Sequence, residues 1–200
     1  SLVSPWMPLG TACVYLKDKS VHERFRVITE VADGLSYLHR HDVVHGDLKG
    51  DNILIGDRGE SRLADFGLSK LLTEVNIDTG GSQPTATQTT LGTIRWMARE
   101  LLNGDARGVN CETDVWAYGM TILELLTCLR PYHDEKTEYV VIVNIMNGKL
   151  PMYPGSECGL SEDLWALCLQ CWDLNPALRP TMRVMAKRVW ELDLRCDIFF

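Results

Sequence analysis

No apolar run in this 200-residue chain approaches the length of a membrane span; the longest, at 139–145, is far too short. Positive charge is also scarce, since 20 Lys and Arg face 27 Asp and Glu, leaving a net charge of −7 and a pI near 5.2. That balance argues against a nucleic-acid partner, whose phosphates favour a basic face. The opening SLVSPWMPLG has neither the basic head nor the apolar core of a secretory leader. It has no initiator Met either, so the chain is expected to begin inside something larger. Internal repeats are absent. Cysteine lacks the pattern of a zinc site, because Cys168-x-x-Cys171 has no second pair and no His cluster to complete it. In LWALCLQCW the i, i+3 spacing sets both thiols on a helix face with Leu164 and Leu167, so they read as buried, reduced thiols of a cytoplasmic protein.

What is present is an ordinary soluble composition, 46% hydrophobic and 24% charged, long enough for one domain or a large piece of one. The first forty residues read as a short strand, a linker and a long helix. In SVHERFRVITEVADGLSYLHRHD, Phe25, Ile28, Val31, Leu35 and Leu38 recur at helical spacing behind a capping Ser20. Val43, Val44 and residues 53–55 are short β-like runs. Residues 71–93 are rich in Thr, Gly and Pro without periodicity, which predicts a long mobile loop. Beyond it the pattern is helical. DVWAYGMTILELL is apolar almost all round and predicts a buried helix. TEYVVIVNIMNG ends on a capping Gly148, SEDLWALCLQCW starts on a capping Ser161, and RPTMRVMAKRVWELDL closes the chain.

Between the first two β-like runs lies VVHGDLKGDNILI, with LADFGLSK soon after. A polar turn explains the Gly-Asp pairs but not the order of the residues, nor the further Asp65. His45-Gly46-Asp47, Lys49, Asn52 and then Asp65-Phe66-Gly67 form an ordered set, H-x-D-x-K-x-x-N…D-F-G. A single triplet arises by chance; the ordered set is specific. GTIRWMARE (92–100), DVWAYGM (114–120) and NPALRP (175–180) follow in sequence.

With these motifs the chain resembles the C-terminal lobe of a eukaryotic protein kinase of the serine/threonine, tyrosine-kinase-like kind. The resemblance implies a mainly α fold, a helical bundle with short β-hairpins at the active-site edge. It implies a partial kinase domain over 1–200, with a hinge at 1–10, the C-lobe at 11–200 and an activation segment at 65–100. It also implies ATP and Mg2+ as cofactors and transfer of the γ-phosphate to a protein hydroxyl. Asp47 would be the base that orients the acceptor hydroxyl and takes its proton. Lys49 would reach the γ-phosphate, and Asn52 and Asp65 would hold the metal. Leu54 would floor the adenine, the Pro5 carbonyl and Met7 amide would face its edge, and Ser4 would be the gatekeeper. Thr93 would bond Lys49 and Asp47 across the site, which favours Ser or Thr as acceptor. Asp114 would hold the catalytic-loop backbone, and Arg179 would pair with Glu100. The implied partners are a protein substrate and a regulatory protein, with no nucleic acid and no membrane.

The chain departs from the family pattern in places. Gly46 replaces the Arg that reads a phosphate on the activation segment, so modification of Thr85, Thr87, Thr89 or Thr90 is expected to change activity little. Arg99 replaces the Pro of A-P-E. No G-x-G-x-x-G loop or V-A-x-K lysine precedes Asp47, where the only lysines are Lys17 and Lys19. The resemblance therefore covers about the last two-thirds of the family's domain, and the 200 residues alone are expected to be inactive. Two other readings share some features: a non-catalytic pseudokinase scaffold, and a small-molecule kinase of the aminoglycoside or choline type, which also writes H-G-D. The set Asp47, Lys49, Asn52 and Asp65 argues against the first, and the later motifs argue against the second.

Overall fold

The computed structural model describes residues 5–65, 70–71 and 91–198. A short helix α1 (Ala12–Tyr15) runs into a 3-10 turn at Leu16–Asp18 and then into α2 (Val21–Arg40). Four short strands follow: β1 (Val43–Val44), β2 (Ile53–Ile55), β3 (Ser61–Leu63) and β4 (Lys70–Leu71). After a 3-10 helix at Leu91–Trp96 come α3 (Arg99–Leu102), α4 (Cys111–Thr127), α5 (Glu138–Met146), α6 (Glu162–Cys171) and α7 (Met182–Ile198). The fold is mainly α, as expected, and among the described residues the β-structure is confined to two-stranded pairs.

The long helices form where apolar periodicity and caps agree. Ser20 caps α2 by accepting the Glu23 amide at 3.2 Å, and Phe25, Ile28, Val31 and Leu35 line its buried face. Packing one such side chain out of water stabilises by roughly 1.5–3 kcal/mol. α4 begins in a reciprocal capping box between Asn110 and Thr113. It is buried from Thr113 to Leu126, so it is the central post of the lobe, with α2 and α6 packed against it. The Tyr118 hydroxyl ties it to α2 by donating to the Ile28 carbonyl at 3.2 Å. Gly119 lets α6 approach closely: a Cβ there would lie 2.6 Å from Trp172 Nε1 and 2.9 Å from Cys171 Cβ. Cys168 and Cys171 are fully buried free thiols on α6, beside the buried Leu164 and Leu167. Burial pushes the Cys171 thiol up to about 12, which leaves it an inert packing group.

Two sequence expectations change. The segment after residue 10 is not an open linker but α1 and its 3-10 turn, because Ala12 and Leu16 are both fully buried and anchor it. Residues 1–4, where the short strand is expected and which include Ser4, lie outside the described residues; of the segment that follows, Thr11 bridges to Leu54. The loop at 71–93 is bounded more tightly, since Leu71 pairs with Val43 in β4 and the 3-10 helix opens at Leu91. Thr85, Thr87, Thr89 and Thr90 lie outside the described residues. The β-pairs also differ in kind. β2–β3 is a true hairpin with Ile53 opposite Leu63, whereas β1–β4 joins segments far apart in sequence. Among the described residues no helix is long and apolar enough to cross a membrane.

Candidate active site

The residues between β1 and β2 are polar and must be held by something other than a ladder. Asp114, at the start of α4 and 1% exposed, supplies the hold. Its Oδ2 accepts the His45 amide and its Oδ1 the Gly46 amide, both at 2.8 Å. Gly46 has φ of +80°, a left-handed conformation that glycine adopts at no steric cost. His39 Nε2 completes the set at 2.9 Å from Asp114 Oδ2. Burial works against a charged His39, but its bonds with Asp114 and Cys111 outweigh that and lift it to about 9. His45 goes the other way: burial lowers it, and its neutral ring accepts the Asp47 amide at Nδ1, 3.3 Å away.

On this backbone the predicted polar side chains converge. Lys49 Nζ donates to Asp47 Oδ2 and to Thr93 Oγ1, each at 2.9 Å. Asn52 Nδ2 donates to the Asp47 carbonyl at 2.7 Å and to Asp47 Oδ2 at 2.9 Å. Both bonds use the amide nitrogen, so Asn52 Oδ1 is turned out as an acceptor. Asp47 Oδ1 is buried and has no hydrogen-bond partner among the described residues. Thr93 meets Lys49 as expected and reaches Asp47 through it.

The remaining predicted positions lie around this centre. Asn52 accepts the Ala64 amide at 2.9 Å, which sets the next residue, Asp65, beside the loop. Asp65 is exposed with φ of +56°, an uncommon conformation for a side-chain-bearing residue. Leu54 is half-buried on β2, and the 5–11 segment lies along that strand through Leu9 N to Ile55 O (3.3 Å) and Ile55 N to Gly10 O (2.9 Å). Pro5 is exposed and Met7 half-buried at the start of this segment. Among the described residues no group of three or more His, Cys, Asp or Glu could hold a metal unaided. Asn52 and Asp65 offer hard oxygen donors of the kind Mg2+ takes one or two at a time, with phosphate oxygens completing its shell. Phe66 and Gly67 lie outside the described residues.

The predicted Glu100–Arg179 pair is buried and bidentate, at 2.6 and 2.9 Å. Arg179 also stacks 5.0 Å from the Trp116 ring centre, which locks α3 to α4. Two polar groups were not anticipated from sequence. Glu124 accepts from the Gly50 amide at 2.7 Å, from Trp96 Nε1 at 3.0 Å and from Cys13 Sγ at 3.1 Å. Burial pushes its carboxyl up while these donors pull it down. A lone acid inside the apolar run ILELL was the available signal, since a buried Glu needs partners. The other is Arg95, buried among carbonyls, which lies within GTIRWMARE but at a position to which the motif gives no role.

A helical lobe with an Asp-Lys-Asn loop pinned by a buried helix, and a buried Glu-Arg lock behind it, defines a protein-kinase C-lobe. The sequence profile described as protein tyrosine and serine/threonine kinase matches residues 1–189, and the chain belongs to that family. It is 34% identical over 163 residues to MAP3K epsilon protein kinase 1 of Brassica napus, covering 82% of this chain and 12% of that protein. It is 35% identical over 154 residues to the mitogen-activated protein kinase kinase kinase ANP1 of Arabidopsis thaliana, covering 77% of this chain and 22% of the other. Against mitogen-activated protein kinase kinase kinase 15 of Mus musculus the identity is 32% over 153 residues, covering 76% and 11%. The chain thus spans a minor part of the length of the relatives it matches.

Proposed function

We propose that this chain carries the catalytic lobe of an ATP-dependent protein serine/threonine kinase, with residues 1–10 as hinge, 11–200 as C-lobe and 65–100 as activation segment. One observation carries the reading. Asp47 has one carboxylate oxygen tied by Lys49 and Asn52, and the other buried without a partner. An acceptor-only group left unpaired away from water is costly, and costs less when a hydroxyl donates to it. The Asp47 carboxylate, held by Lys49 and Asn52 with its side chain 15% exposed, is the group that orients the acceptor hydroxyl and takes its proton.

Lys49, 2.9 Å from Asp47, stands where a cation would draw in a phosphoryl oxygen. Thr93, which holds it, supports Ser or Thr as the acceptor. Asn52 Oδ1 and Asp65 would hold Mg2+, which when bound neutralises the negative charge of the phosphates. Leu54 would floor the adenine, with the Pro5 carbonyl and Met7 amide at its edge. The substrate is a protein hydroxyl, and a regulatory protein is a second partner. The six described cysteines are all free thiols, which supports a reducing, cytoplasmic setting.

The test is nucleotide binding by titration, with and without Mg2+. Affinity for ATP should rise several-fold with Mg2+, and Asp65→Asn or Asn52→Ala should remove that rise. ATP binding that ignores Mg2+ in the unaltered chain would contradict the assignment of these two ligands.

A further inference from the structure

Arg95 is 1% exposed and uses its guanidinium as a four-bond clamp. Nε donates to Glu138 Oε1 at 2.9 Å, Nη1 to the Pro131 carbonyl at 2.9 Å and the Tyr132 carbonyl at 2.5 Å, and Nη2 to the Glu135 carbonyl at 3.1 Å. Three of the partners are main-chain carbonyls of the loop between α4 and α5, and the fourth opens α5. The loop needs such a hold, because Tyr132 is a buried, bulky residue with φ of +53°. A conformation of that kind persists only where its surroundings fix it. The planar five-donor fork of Arg fits this task, and the single ammonium of Lys does not.

The clamp sits two residues from Thr93 in the Leu91–Trp96 turn, and Trp96 fastens the turn's other end to Glu124. Glu124 in turn holds the Gly50 amide, next to Lys49. The Lys49 backbone and the Lys49 ammonium are thus set by two different anchors: Glu124 through Gly50, and the turn through Thr93. We propose that Arg95 is a positioning residue: by pinning the turn to the 131–138 loop it places the Thr93 hydroxyl so that Lys49 stays against Asp47. The inference rests on the kinase reading for its purpose, but the mechanical link from Arg95 to Lys49 stands or falls independently.

The link is tested without any turnover, by acetylating the chain with an amine-reactive ester and following each lysine by mass spectrometry. Lys49 is 18% exposed and doubly bonded, whereas Lys187 is 77% exposed and serves as the reference. Relative to Lys187, Lys49 in the unaltered chain should react at least tenfold more slowly. Arg95→Lys and Glu138→Gln should each raise the Lys49 rate several-fold with Lys187 unchanged, and so should Thr93→Val. Combining Arg95→Lys with Thr93→Val should give no further rise, because both act through one hydroxyl. Equal Lys49 rates in Arg95→Lys, Glu138→Gln and the unaltered chain would overturn the proposal. So would effects of Arg95→Lys and Thr93→Val that multiply, or a uniform rise at all lysines, which reports only loosening of the fold. Failure of ATP to bind would count against the kinase reading alone.

Discussion

Asp114 shows how one carboxylate can fix a site it does not enter. It is buried, and it satisfies two main-chain amides and one imidazole. Asp114→Ala leaves those donors facing a void, and breaking a buried charged network of this kind costs roughly 3–5 kcal/mol. Thermal unfolding should register that loss, with Asp114→Asn milder because it keeps one acceptor. The His39 partner adds a pH dependence. Its folded value near 9 lies above the ordinary imidazole value of 6.5, so the charged form is favoured in the folded chain. The stability it contributes is complete below about pH 6.5 and is lost as pH rises through about 9. Denaturant midpoints in the chain and in His39→Gln should therefore differ most at pH 6 and converge near pH 10. A constant difference across that range would rule out the charged pair. The side chains of the site were legible in the sequence because chemistry fixes their order: Asp47, Lys49, Asn52 and Asp114 all stand where the motifs set them. Glu124 and Arg95 were not, because each answers to main-chain groups that the fold alone brings near. No residue-level pattern announces that a carbonyl of the 131–135 stretch will need a donor.

Among the elements, the helices were the readable part. α2 and α6 carry their apolar faces and their caps within the sequence, and the structure starts each where Ser20 or Ser161 caps it, whereas α4, legible only as an apolar run from Asp114, starts earlier, at Cys111 behind an Asn110 cap. The short elements were less readable. α1 has four residues and too little pattern to distinguish it from a linker; the burial of Ala12 and Leu16 decides it. β1 finds its partner in β4 across the whole catalytic loop, a pairing that two residues of Val cannot specify. The close contact of α4 with α6 gives a test at this scale. Gly119→Ala improves helix propensity by about 1 kcal/mol. The added methyl, however, meets Trp172 and Cys171 in a packed core, where overpacking costs typically 1–3 kcal/mol. Net destabilisation is expected, seen as a lower Tm. A rise in Tm would mean the two helices have room to part.

At the scale of the whole molecule, catalysis in this family is mostly positioning and charge neutralisation, which a lobe can carry only in part. Neither lysine upstream of Asp47 sits in a V-A-x-K motif. Lys19 lies 4.7 Å from the centre of the Tyr15 ring, and Lys17 belongs to the 3-10 turn after α1. ATP held by these 200 residues alone would sit on an open surface where water screens each contact. They should transfer no phosphate above background. The measurement that bears most directly on the account supplies what they lack. The chain is joined to a protein-kinase N-terminal lobe that carries a G-x-G-x-x-G loop and a V-A-x-K lysine, given Mg2+ and labelled ATP, and the phosphorylated residue on a mixed protein substrate is identified. The expected products are phosphoserine and phosphothreonine, with Asp47→Asn slowing transfer by roughly 10²–10⁴-fold, the usual contribution of a positioned general base. Phosphotyrosine as the main product, or transfer that survives Asp47→Asn unchanged, would contradict it.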